Sequence, residues 1–218
     1  MTDRSLWFES HLFADRAGRR ARAACERLGP QIHEPILAAG DRLAAASPAV
    51  AQQFYRHAAA VWAAIGPDEF DRWLAFGQDL LGSEPSHRDA ALAYFSVTPK
   101  AVATAGIQRL SAWCATGKRV ALVSRKLSAA FFHGTAPLVD VLGADALAEW
   151  ARHGMRLHGA AGWRGEFLAY AYFAAARDTL RVLDAEDFGS WADLGVALQS
   201  VLREAQFFGK LPPGFAAF

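Results

Sequence analysis

The sequence predicts an all-α protein built from one helical unit written about five times over. Three observations carry that expectation. Hydrophobic residues make up 53% of the 218-residue chain and charged residues 21%, with alanine the most frequent residue and β-branched residues sparse, a composition that favours helix. Aromatic doublets recur along the chain, as Phe54-Tyr55, Tyr94-Phe95, Phe131-Phe132, Tyr172-Phe173 and Phe207-Phe208, and the first four are followed by Trp73, Trp113, Trp150 and Trp191 at one constant separation. Around each tryptophan, finally, the apolar residues fall at helical spacing.

The columns share one register. The fourth residue after each tryptophan is glycine (Gly77, Gly117, Gly154, Gly195), and the seventh is aliphatic (Leu80, Val120, Leu157, Leu198). Before the tryptophan stand Phe70, Leu110, Leu147 and Phe188, then Ile65, Ala105, Leu142 and Leu183, then Trp62, Val102, Val139 and Leu180. An earlier copy replaces tryptophan by Ile36 and keeps Gly40 and Leu43 in phase. The period is about 40 residues, and its variation is confined to the stretch between a tryptophan and the next doublet, where a surface loop tolerates insertion.

Taken in order, residues 1–35 read as an N-terminal helical cap, with Leu6, Trp7, Phe8, Leu12 and Phe13 apolar and Arg16, Arg19, Arg20, Arg22 and Arg27 beyond. Residues 36–208 read as the array, its units marked by Ile36, Trp73, Trp113, Trp150 and Trp191. Within a unit, one helix carries the doublet, opened by Ser47-Pro48 in one copy and by a Ser86/Asp89 capping box in another. A short third helix follows, with Pro99 or Pro137 in its first turn, and then the tryptophan helix, begun by Pro67-Asp68, Ala144-Asp145 or Ala185-Glu186. Two or three helices per unit is a HEAT- or armadillo-like plan. The recurring glycine is expected to admit a close neighbour, because an interior helical glycine otherwise costs about 1 kcal/mol relative to alanine. Residues 209–218 contain Pro212-Pro213 and break the helix; this tail is expected to cover the open end of the array.

A unit such as Tyr94-Phe95-Ser96-Val97-Thr98-Pro99 through Trp113 and Gly117 resembles the helical-repeat region found beside von Willebrand A domains in bacterial proteins of the NorD and CbbO type. Those proteins are adaptors for MoxR-class AAA+ ATPases. The resemblance spans residues 36–208. The sequence departs from it in having no Asp-x-Ser-x-Ser metal motif and no α/β pattern for a von Willebrand A domain. What the resemblance implies is a freestanding repeat module with a binding or adaptor role, partnered by an AAA+ ATPase system.

No local motif for catalysis is present. The seven histidines form no HExxH and no paired spacing for zinc, and Cys25 and Cys114 make neither a disulfide framework nor a zinc pattern. Gly117-Lys118-Arg119 lacks the upstream glycine of a phosphate loop, since residue 112 is alanine. Catalytic, cofactor and metal residues are therefore expected to be absent. Cys114 reads as a buried, inert thiol, and the acidic residues cluster at helix starts. Candidate binding residues are those the repeat leaves unexplained. Trp163 and Arg164 lie in the glycine-rich insertion Gly159–Gly165, an aromatic beside an arginine, as in binding hot spots. Trp7, Arg19 and Arg20 lie in the cap, and Lys118 and Arg119 lie in the third tryptophan-marked stretch with Arg125 and Lys126. Solvated helix faces are the ordinary reading of the basic residues, and docking of an acidic partner or nucleic acid is the alternative.

A net charge of +1 with a high apolar fraction excludes disorder as the main state and argues against a dedicated nucleic-acid binder. The longest apolar run, Phe167 to Ala176, is too short to span a bilayer, and the N-terminus has no secretory pattern. The expectation is a cytoplasmic, non-enzymatic scaffold or adaptor that binds another protein. Two alternatives stay open: a nucleic-acid or small-ligand binder of the same fold, and an enzyme whose site is assembled between units.

Overall fold

The computed structural model of the chain describes residues 23–24, 27–82, 88–160 and 164–208. Most of the expected cap, the Ser86 capping box and the tail 209–218 lie outside the described residues. Within them the chain is all-helical and contains no strand. The helices are α1 (Pro30–Ala46), α2 (Pro48–Leu81), α3 (Arg88–Val123), α4 (Arg125–Thr135), α5 (Ala144–Ala160), α6 (Gly165–Ala174), α7 (Ala176–Thr179) and α8 (Phe188–Phe208), with 3-10 turns at Ala136–Leu138 and Ala185–Asp187. None of the described helices is long and apolar enough to cross a membrane.

Glycine and proline place the boundaries. Gly29, at φ 83°, precedes Pro30, and extended Ser47 precedes Pro48, so both prolines sit where a missing N–H leaves no helical bond unmade. Inside α2, Gly66 has φ 76° and ψ 177°, a conformation open to glycine alone, and Pro67 restarts the helix. The limb 67–81 folds back on the limb 48–65, bringing the rings of Phe54 and Trp73 to 5.6 Å. The chain reverses within α3 as well. Tyr94 and Trp113 would be about 28 Å apart along a straight helix, yet their ring centroids are 6.2 Å apart. The expected third helix is distinct only as the Ala136–Leu138 turn, which contains Pro137, and as α7. In the two earlier copies it is absorbed into α2 and α3, because Pro99 lies inside α3 and does not end it.

Many of the residues in the sequence columns meet in the core, although Trp191 and Leu198 stay partly exposed. Trp73, Trp113 and Trp150 are fully buried, as are Phe54, Phe95, Phe131, Phe132 and Phe173. Each column glycine from the first to the fourth lies beneath the second ring of the following doublet. A Cβ on Gly40 would fall 1.9 Å from Tyr55, one on Gly77 2.0 Å from Phe95, one on Gly117 2.1 Å from Phe132, and one on Gly154 2.2 Å from Phe173. The segment that carries each of these rings therefore rests on the segment that carries the glycine before it.

A polar tie accompanies the ring contact. Trp73 Nε1 donates to Thr98 Oγ1 at 2.9 Å and Trp113 Nε1 to Thr135 Oγ1 at 2.7 Å. The two hydroxyls donate onward to the carbonyls of Tyr94 at 2.7 Å and Phe131 at 2.6 Å. Each threonine is the third residue after its doublet, a place taken by Ala58 in the first copy and Ala176 in the fourth. The first copy is matched, since Ile36 has no N–H to satisfy. The fourth is not: Trp150 keeps its indole N–H and Ala176 offers no hydroxyl, so Trp150 Nε1 is buried without a partner.

Candidate binding surface

Of the residues singled out by sequence, Trp163, Trp7, Arg19 and Arg20 lie outside the described residues. Arg164 is half-buried and stands at the N-cap of α6. Lys118 is ion-paired with Asp79, and Arg119 donates to Thr116 Oγ1 at 3.1 Å on its own helix. The structure thus gives Lys118 and Arg119 partners within the protein. Other basic residues are matched similarly: Arg156 lies 2.6 Å from Asp193 Oδ1, and Arg152 Nε lies 3.0 Å from Glu149 Oε2.

Arg125 and Lys126 belong to a different grouping. The end of α3 and the start of α4 meet α5 and α6 around an open cleft of about 500 Å³. Its walls include Leu122, Ser124, Arg125, Lys126, His158 and Glu166. Ser124 Oγ donates to Glu166 Oε1 at 3.0 Å, which ties the α3–α4 junction to α6. His158 and Glu166 also bracket, in sequence, the connection that contains Trp163. The cleft carries both signs of charge.

Apolar residues flank this region. Leu122 is 85% exposed at the end of α3, and Phe167 is 77% exposed on α6. Tyr170, also exposed, follows Phe167 by three residues and shares its helix face. Large apolar side chains are thus turned to water near a mixed-charge cleft. Column arithmetic does not find Phe167 or Tyr170, because they stand just before the fourth doublet, where the repeat makes no demand. The one available signal is that Phe167 belongs to the run Phe167–Ala176, which is apolar on every side and so must turn some residues outward.

The titratable groups bear on structure. Burial holds the Cys114 thiol protonated by pushing it far above its ordinary value, and it does the same to the Tyr94 phenol. The hydrogen bond from Arg152 draws Glu149 down to about 2. His153 is buried, with Nε2 2.8 Å from Arg152 Nη2 and 3.0 Å from Glu149 Oε1, and its Nδ1 has no partner. Burial first, and then the Arg152 charge, lower its pKa below 6.5. A neutral ring can accept from the guanidinium, which only donates. His57 is lowered by burial and by Arg56, and His133 by burial. Among the described residues, no three His, Cys, Asp or Glu side chains come together in a group able to hold a metal ion. Comparison with protein-family models, curated proteins and solved structures finds no match to this chain.

Proposed function

We propose that this chain is a cytoplasmic, non-catalytic α-helical repeat protein of HEAT/armadillo-like plan that binds another protein. Two observations support the reading. The ring-over-glycine contact, made four times between successive units, supports an array in which each unit buries the open face of the last. The observation that carries protein binding is the outward face of α6, where Phe167 and Tyr170 stand in water on the helix that carries Glu166 of the mixed-charge cleft. Aromatic anchors beside an arginine and a polar rim are the residues that dominate interface energies. The internal pairing of Lys118, Arg152 and Arg156 weighs against phosphate recognition, since a nucleic-acid surface leaves its cations free.

The partner class implied by the resemblance is an AAA+ ATPase, and it is the first to test. A purified MoxR-class ATPase should bind the full chain in a direct titration, and Phe167→Ser with Tyr170→Ser should weaken that binding at least about tenfold, the scale of one or two lost anchors. Val182→Ser, as exposed as Phe167 but on the α7–α8 connection, should leave it unchanged. Capture with crosslinking from a native lysate extends the test to other proteins. A chain that retains no partner above background in either format, or one indifferent to the α6 substitutions, would overturn the proposal.

A further inference from the structure

Among the described residues, three buried side-chain polar atoms without a hydrogen-bond partner belong to one joint. They are Trp150 Nε1 and His153 Nδ1 on α5, and the Tyr172 hydroxyl on α6. Unmet polar atoms are rare in native interiors, so a joint that carries several opens at lower cost than its neighbours. The start of α8 lies on this joint. Phe188 meets Trp150 edge-on at 5.2 Å. Gly189 brings the backbone of the first turn onto the His153 ring, where a Cβ would stand 3.1 Å from Cε1. One turn on, Asp193 Oδ1 lies 2.6 Å from Arg156 Nη2.

His153 is the member of this joint whose charge can change near neutral pH, and its surroundings fit the neutral ring. Nε2 lies 2.8 Å from Arg152 Nη2. A guanidinium only donates, so that nitrogen accepts. A proton there removes the acceptor and sets one cation against another. Glu149 Oε1, 3.0 Å from the same nitrogen, could receive the proton's hydrogen bond, yet Arg152 already holds Glu149 through Nε at 3.0 Å. Burial opposes protonation most, Arg152 and Arg156 add to it, and Glu149 favours it. The first turn of α8 against the ring also presents the positive end of a helix. From α6 comes Tyr172, whose phenol burial keeps protonated. The 3-10 turn before α8, packed against α5, brings Glu186 and Asp187. On α3, which also packs against α5, Arg109, Lys118 and Arg119 are bonded to Asp140, Asp79 and Thr116.

We propose that the α5–α8 joint is a pH-sensitive clasp, in which protonation of His153 lifts the first turns of α8 from α5 while earlier units stay packed, uncovering the Trp150–Tyr172 stack. With α8 lifted, the ring stands in water and takes its proton near pH 6.5. The closed joint takes it only at lower pH, so acid populates the open form.

Peptide-resolved hydrogen exchange of the full chain tests this, with rates corrected for the intrinsic pH dependence of amide exchange. Between about pH 7.5 and pH 5, the protection of residues 188–198 should fall roughly tenfold. Residues 110–120 on α3, which include no histidine, should keep theirs. His153→Gln, neutral throughout, should abolish the fall. Two further variants read the charges. Arg152→Gln should shrink the fall, and Glu149→Gln, which removes the favourable carboxylate, should enlarge it. Lost packing alone would move protection at both pH values together. No fall, a fall shared by residues 110–120, or one that survives His153→Gln would overturn the proposal. Should His153→Gln itself strip α8 of protection at neutral pH, the Arg152 and Glu149 variants decide, and responses of the same sign would overturn it.

Discussion

At the scale of single residues, the protein rests on a steric exchange. A glycine in a helix interior gives up about 1 kcal/mol of helix propensity, and here it admits a whole phenyl ring to van der Waals contact with the backbone. Gly77→Ala reverses the exchange. Its Cβ would come 2.0 Å from Phe95, which is fully buried and cannot yield. The expected loss is about 1–3 kcal/mol, as for other overpacked cores, read as a lower urea midpoint. Gly159→Ala, with nothing within 4 Å of the added carbon, should be neutral or gain up to about 1 kcal/mol. The unmatched Trp150 gives an opposite expectation. Ala176→Ser supplies the hydroxyl that Thr98 and Thr135 supply elsewhere, and should gain about 0.5–1.5 kcal/mol, seen as a higher melting temperature. The sequence columns showed that these glycines needed a close neighbour. They could not show which ring it was, because the ring arrives from the next unit and the pairing exists only once two helices meet.

At the scale of elements, helices and their apolar faces were legible, and the way the chain turns was only partly so. Pro67-Asp68 marks a helix start, as an early proline and an acidic residue suggest, and the structure adds the break at Gly66 before it. Pro99 was expected to open a short helix but lies within α3. The reversal between Tyr94 and Trp113 is imposed by packing, in which both rings reach the buried core, and no local signal marks it. The turn in α2 makes a sharper prediction. Gly66 occupies a backbone region closed to side chains, with open space around it. Gly66→Ala should therefore cost about 1–3 kcal/mol through backbone strain alone. Chemical denaturation would measure it, and a neutral result would mean that the limbs of α2 are joined by a more permissive bend.

At the scale of the whole molecule, acid should loosen the fold. Unfolded histidines take up protons near pH 6.5, whereas burial keeps His153, His57 and His133 neutral to lower pH. The unfolded chain then binds more protons, so stability is retained above about pH 6.5 and lost as the pH falls from there through the lowered folded values. Thermal melts between about pH 7 and pH 5 should show a falling midpoint, and His153→Gln should make that fall shallower. An unchanged slope in the variant would remove His153 from the account. The candidate surface was the least legible level. Arg164 and the stretch around it were singled out from sequence, but Leu122, His158 and Glu166 come together only in the fold, and a single sequence shows neither exposure nor neighbourhood.

The unpaired indole of Trp150 also bears on how the protein would yield to force. A pull on the two ends would load the joints together, and the weakest would yield first. Three of the four ring-over-glycine joints are either tied by a Trp–Thr hydrogen bond or apolar on both sides. The joint between α5 and α6 alone holds a buried donor with nothing to bind. Water entering there gains a hydrogen bond that the closed state lacks, so rupture should begin at that joint. In single-molecule stretching, Ala176→Ser should raise the first unfolding force and leave later steps unchanged.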